Sequence, residues 1–460
     1  MGRKQKPSLS IGPDKVTRSA IKWTWLNGGL LGAALLAALI VYWPVLQAGW
    51  FYDDGDYVVN DPRLNHLDLF LPWNMSQPPP PLDADGGILR LPGYDKPLVA
   101  DRYVWRLSFA LERRLFGASY SPSIAHGVNL TLHLVCVALL FFAAKALARL
   151  YASRSKAGSD PKKPEGPEIL FPGLCALIFA VLPWAAEPVV YVSARNGGLG
   201  ALFTLLGLIA FIDALNAVSR IRWGVSGLAA FLCCVAAFGS KENFISAPAG
   251  ILLVTAPVLL TRLKQWPRKK AIILGAVVLL LLVLGIAVGI RGSERAMALL
   301  HVFNGARNGG YLFSVQSPIL LQVLGDQPFG QRLSLEFNHP GWSDTACWAA
   351  LLLNIILIFG SLIAAIRYPL ALAITWFYLH LLPTNSILVR QDFLAARNVY
   401  LPTVGIAVLF AGLVATHVLL TTWFAPSLAI AGSMFSVVAL LLTFTNSWPH
   451  PDHLVEWALS

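Results

Sequence analysis

The chain has 460 residues, of which 56% are hydrophobic and only 13% charged, and its mean hydropathy is +0.62. Soluble chains carry about a quarter charged residues, so this composition excludes an ordinary water-soluble enzyme and indicates a protein that uses lipid as solvent. The net charge of +11 gives no reason to expect a nucleic-acid partner, because membrane proteins concentrate Lys and Arg in their cytoplasmic loops.

A helix needs roughly 17–25 apolar residues to cross a bilayer. In chain order, such runs predict spans at 28–48, 123–148, 169–186, 196–217, 224–239, 243–261, 271–290, 346–366, 368–383, 400–421 and 427–446. The expected fold class is therefore an all-α polytopic membrane protein with about eleven transmembrane helices. Residues 1–27 read as a basic cytoplasmic segment. The first run is expected to be a retained anchor, since cleavage after Ala48 would remove the span that presents the motif following it. Five cysteines, Cys136, Cys175, Cys233, Cys234 and Cys347, lie in or beside apolar runs without metal-ligand spacing, and read as small packing residues.

Charge counting orients the chain. With the N-terminus in the cytoplasm and the spans alternating, the cytoplasmic segments hold 20 of the 35 Lys and Arg but 5 of the 24 Asp and Glu. That asymmetry satisfies the positive-inside rule. Two segments on the other side are too long to be simple connectors, one at about 50–122 and one at about 291–345. The first contains Pro78 to Pro81, a stiff extended stretch. Next comes Arg102 to Phe116, where Trp105, Phe109 and Leu115 interleaved with basic residues predict a helix along the membrane surface. Residues 448–460 are expected to form an outer tail. No internal repeat is visible, which argues against a transporter built from paired halves.

Polar residues gather on the expected outer face. Directly after the first span, Trp50-Phe-Tyr-Asp-Asp-Gly-Asp-Tyr57 carries the adjacent carboxylates Asp53 and Asp54. In a glycosyl transfer a positioned carboxylate takes the proton of the attacking hydroxyl, or holds a divalent cation that neutralises a leaving phosphate. The competing reading is a solvated Asp-Gly turn. Arg102 and Arg106 follow, and then His126, Asn129 and His133, whose spacing puts them on one helix face, as if lining a cavity. Glu187 and Arg195 flank a short outer turn. Lys241 and Glu242 sit between two apolar runs, and Gln391, Asp392, Arg397 and Tyr400 occupy the last outer loop. Ionisable groups near membrane depth are costly and tend to be functional or paired.

These motifs, in this order from about residue 48 to about 412, resemble the membrane domain of the transmembrane and tetratricopeptide-repeat-containing O-mannosyltransferases and their bacterial relatives. The resemblance rests on Tyr52-Asp53-Asp54 with Asn60 and Pro62, on Arg102 with Leu107-Ser108-Phe109, and on the frame of His126, Asn129 and His133. It continues through Pro183, Glu187, Ser193 and Arg195, then Ser240-Lys241-Glu242, then Gln391-Asp392, Arg397 and Tyr400-Leu401-Pro402. Departures are Tyr103 for a proline, Leu182 for a histidine and Ala396 for a glutamate. The resemblance implies a GT-C glycosyltransferase fold over 28–447 without the tetratricopeptide repeats, an active site on the periplasmic face of a bacterial inner membrane, and inversion at the sugar carbon. The implied donor is a polyprenyl-phosphate-linked mannose or other hexose, and the implied acceptor a protein or an envelope glycan or lipid.

On this reading Asp53 or Asp54 is catalytic, and Arg102, Arg195, Lys241 and Arg397 bind the donor phosphate. His126, Asn129, Glu187, Glu242, Gln391, Asp392 and Tyr400 line the site. No cofactor is required by the residues themselves, although Mg or Mn at Asp53 or Asp54 fits the same chemistry. The rival function is a flippase for a lipid-linked saccharide, which would place ionisable residues near mid-membrane and on both faces.

Overall fold

A computed structural model of the protein describes residues 13–51, 53–70, 102–155, 170–263, 308–326, 341–385 and 394–424. Among the described residues the chain is helical and contains no strand. Among the described residues, seven helices are long and apolar enough to cross a membrane: Trp25–Gln47, Pro122–Ala152, Val192–Asn216, Arg220–Ser240, Glu242–Arg262, Asp344–Ala364 and Tyr400–His417. Each coincides with an expected span. The expected spans at 271–290 and 427–446, the Pro78–Pro81 stretch and the tail at 448–460 lie outside the described residues.

Two expected spans differ in form. The run at 169–186 is broken into Phe171–Val181 and Pro183–Val190, which meet at 71°. The cause is local. A residue before proline is pushed out of helical geometry by the proline ring, and Leu182, before Pro183, is extended at φ −61°, ψ 124°. The run at 368–383 forms only the shorter helical stretch Pro369–Leu381.

Part of the expected second outer loop is helical. Here α9 (Asn308–Tyr311) leads through a π-helical turn into α10 (Ser317–Asp326). Val315, Ile319 and Val323 are buried against Phe377 and Leu381. Window-based reading misses this piece because its apolar part, Leu312–Gly325, is too short to span a bilayer. It is pinned by polar bonds: Asn354 donates to the Ser317 carbonyl (2.9 Å), and Asn385 to Gln316 Oε1 (3.0 Å).

The centre of the bundle is built from α1 (Pro13–Tyr42), α3 (Pro122–Ser155), α4 (Phe171–Val181), α6 (Arg195–Asn216) and α13 (Tyr400–Phe424). Around them lie α7 (Arg220–Ser240), α8 (Ala247–Leu263), α11 (Asp344–Ala364) and α12 (Leu372–Leu381). In lipid, apolar burial gives little drive for helices to associate, so close packing and interhelical hydrogen bonds must do it. Both are present. Asn27 of α1 accepts the Gly173 N–H at the start of α4 (2.9 Å), satisfying one of the donors that a helix start leaves open. His133 of α3 bonds the Tyr400 hydroxyl (2.8 Å) and the Ala180 carbonyl (3.2 Å), joining α3, α4 and α13. α12 packs directly on α13 at Gly405, where an added Cβ would lie 2.4 Å from the Ala373 carbonyl oxygen.

Gly405→Ala should therefore destabilise the protein by about 1–3 kcal/mol through overpacking. Gly224→Ala, at a helical position with open space around it, should be neutral or slightly stabilising. Thermal midpoints of the two variants in the same detergent check this.

Candidate functional site

The chain reverses at one end of the bundle through segments tied to one another. The exit of α1 is joined to the start of α3, where His126 Nε2 bonds the Gly49 carbonyl (3.2 Å). It is also joined to the turn before α6, through Asp53 and Asp54. The 394–400 segment bonds both the α4 bend and the α7–α8 joint. The predicted residues within the described segments, drawn from distant stretches of chain, thus share this end. Gln391 and Asp392 lie outside the described residues.

The carboxylate half of the site is the loop after α1. Asp54 is fully buried, and its two oxygens accept the Phe51 N–H (3.0 Å) and the Ser193 N–H (2.7 Å). Burial pushes its carboxyl up to about 6, against the pull of those two donors toward the charged form. Asp53 is partly exposed, and its backbone N–H donates to the Tyr191 hydroxyl (3.0 Å). The two adjacent acids are therefore unequal: Asp54 locks the loop to the turn before α6, and Asp53 is the more exposed of the two. A π-helical turn, Gly55–Val59, follows. Arg113 of α2 (Tyr103–Phe116) donates to the Val58 and Val59 carbonyls at its end, a basic side chain closing open helix carbonyls.

The cationic half is made by Lys241, Arg397 and Arg102. Lys241 Nζ donates to Asn398 Oδ1 (2.5 Å) and Arg397 pairs with Glu187 (3.3 Å). Arg102 makes a bidentate pair with Glu242 (2.9 and 2.8 Å). The Glu187 Oε2 oxygen is buried and has no side-chain hydrogen-bond partner among the described residues. The short stretch from Glu187 to Ser193 links the halves, since Glu187 meets Arg397 and Tyr191 and Ser193 meet the acidic loop.

Several predicted residues turn out to be braces. Arg195 is fully buried and gives its N–H groups to both Glu112 oxygens, Asn129 Oδ1 (2.6 Å), the Ala125 carbonyl (3.0 Å) and Ser108 Oγ (3.4 Å). Its guanidinium also lies 4.1 Å from the Phe109 ring centroid. An arginine has five N–H donors, and all are taken, so the predicted role of Arg195 as a phosphate ligand gives way to a structural one. The face of His126, Asn129 and His133 is likewise bonded to neighbouring segments of the protein. Asn129 holds Arg195 and the Tyr191 carbonyl, His133 holds Tyr400, and all are buried. Tyr400 is part of that seam.

Asp61, Glu112, Tyr191 and Asn398 were not singled out by sequence reading. Asp61 is fully buried, takes a bidentate pair from Arg63 (2.9 and 3.0 Å) and also pairs with Arg106, tying the acidic loop to α2. Glu112 carried a signal, being seven residues after Trp105 and three after Phe109, on the face of α2 that those residues bury. Asp61 was hidden in an ordinary Asp-Pro turn. Among the described residues no group of three or more His, Cys, Asp or Glu is arranged to hold a metal. No protein-family profile, curated protein or solved structure matches the chain.

Glu112→Gln leaves Arg195 buried without its counter-charge and should cost about 3–5 kcal/mol, seen as loss of folded protein on size-exclusion in detergent. For Asp54 the folded-state value is raised, so its contribution is greatest below the usual carboxylate range near 4 and falls as pH rises through about 6. The expected loss is about 3 kcal/mol. Melting across this window should show Asp54→Asn gaining on the native protein as pH rises.

Proposed function

We propose that this chain is an inverting glycosyltransferase of GT-C type that takes a hexose, mannose or a related sugar, from a polyprenyl-phosphate donor. The observation that carries the reading is one end of a membrane bundle on which the partly exposed Asp53 is held by backbone bonds, with Lys241, Arg397 and Arg102 gathered beside the linking stretch. Ordered motifs shared with the O-mannosyltransferases support the same reading.

Asp53 accepts the proton of an acceptor hydroxyl as its oxygen attacks the anomeric carbon from the side opposite the phosphate. The carbon–oxygen bond to phosphate breaks and polyprenyl phosphate leaves with the electron pair. Arg397, Lys241 and Arg102 stabilise that charge. Their present partners, Glu187, Asn398 and Glu242, hold them extended until phosphate competes for them. Asp53 also suits a Mg or Mn ion shared with the donor phosphate, which such ions bind through one or two carboxylates, and which would neutralise the leaving charge. The Lys and Arg distribution favours a cytoplasmic N-terminus and a site on the opposite face, periplasmic if the host is bacterial. A protein or an envelope glycan or lipid is the acceptor class.

Purified protein with mannosyl-phosphate-polyprenol, with and without EDTA, tests this by release or transfer of labelled sugar. Asp53→Asn should lower turnover by about 10²–10⁴-fold while leaving donor binding intact. Asp54→Asn should keep part of the activity. Full turnover in Asp53→Asn would remove the assignment, and sensitivity to EDTA would assign Asp53 to a metal.

A further inference from the structure

The stretch between the α4 bend and α6 carries a tyrosine that the mechanism above leaves unused. Tyr191 is buried, in an extended backbone conformation at φ −108°, ψ 114°. Its backbone is held on both sides: the N–H donates to the Glu187 carbonyl (2.9 Å), and Asn129, itself bound to Arg195, donates to its carbonyl (3.2 Å). Its ring meets Phe51 edge to face, with centroids 5.7 Å apart. The side chain is therefore a fixed post, tied to the same frame that holds Arg195.

The hydroxyl at the tip of that post stands at Asp53. It accepts the Asp53 N–H at 3.0 Å. Its own proton is in hydrogen-bonding reach of the Asp53 carboxylate, and the Ser193 hydroxyl donates to it. A phenol has one proton to give and two lone pairs to receive, so these three bonds use it completely. Burial, and after it the Asp53 charge, push this hydroxyl far above its ordinary range, while Ser193 pulls the other way. It stays a neutral donor at any working pH. A carboxylate on a loop ordinarily turns about its side-chain bonds among several rotamers. One gripped at its backbone N–H and at an oxygen by the same hydroxyl keeps a single orientation.

A general base has to lie within hydrogen-bond reach of the proton it takes, about 2.6–3.2 Å, and a misplacement of about 1 Å costs on the order of 10²-fold. We infer that Tyr191 is a positioning residue for the glycosyl transfer: its hydroxyl fixes one Asp53 oxygen, so that the other meets the acceptor hydroxyl in the geometry of proton transfer. The inference rests on the reading of Asp53 as the base.

Tyr191→Phe removes the hydroxyl and keeps the ring against Phe51. With mannosyl-phosphate-polyprenol as donor, kcat should fall about ten- to a hundredfold, the worth of one hydrogen bond to a charged group, with the donor KM unchanged. In an Asp53→Asn background the same substitution should cost nothing further, because residues that act as a unit are not additive. Replacing Tyr191 by 3-fluorotyrosine keeps the hydroxyl and reads the contact without turnover: the fluorine resonance should move when Asp53→Asn is added.

An unchanged kcat in Tyr191→Phe, a rise in KM alone, or an equal loss in the Asp53→Asn background overturns the inference and leaves the transferase reading standing. If Tyr191→Phe yields no folded protein, the fluorine resonance decides, and an unmoved resonance overturns the inference in either case. If the native protein turns over no lipid-linked sugar, the function falls and this inference with it.

Discussion

The geometry of the polar end depends on one buried cation. Arg195 stands at the start of α6 with no contact with solvent, and its bonds reach α2 through Glu112 and Ser108 and α3 through Asn129 and Ala125. A charge in so apolar a setting survives only when paired and fully hydrogen-bonded. The requirement runs both ways: the three helices must meet at a fixed distance and rotation for the guanidinium to be satisfied. Ser193, which holds Asp54, lies two residues before Arg195, so the position of the acidic loop is inherited from this staple. A second buried cluster, Asp61 with Arg63 and Arg106, fixes the far side of that loop to α2. Between the two, Asp53 is held on a rigid edge although it lies in a loop.

Hydropathy made most of the bundle legible, because a spanning helix has to be apolar along its length and the seven spans are. It failed where length and shape part company. Pro183 broke a run that composition alone made continuous, and Leu312–Gly325 was overlooked because a short apolar helix needs no bilayer-length run when protein surrounds it. For the polar end, sequence reading picked out many of the polar residues there, not Asp61 or Glu112, and could not say which way each faced. Glu187, Lys241, Glu242 and Arg397 meet as ion pairs or hydrogen bonds around the reversals. His126, Asn129 and Arg195 carry equally polar side chains, yet their bonds are all to the protein's own frame. Periodicity tells which side chains share a face; only packing tells whether that face meets a cavity or another helix.

The cations of the polar end are compensated in advance. Arg102 and Arg397 are paired with carboxylates, and Lys241 with an amide oxygen. Bare positive charges at this depth would draw in any anion or force local unfolding. Pairing avoids that. The pairs differ in geometry, Arg102 being bidentate on Glu242 and Arg397 meeting Glu187 at 3.3 Å.

The break at Pro183 also shortens a helix. α4 has 11 residues, about 17 Å of helix at 1.5 Å per residue, against about 30 Å of bilayer hydrocarbon. Beyond it the chain turns through short 3-10 segments whose carbonyls at Tyr191 and Val192 are answered by Asn129, the only kind of irregular backbone that membrane interiors tolerate. A helix this short leaves the rest of the path to irregular backbone, which the protein itself has to hydrogen-bond.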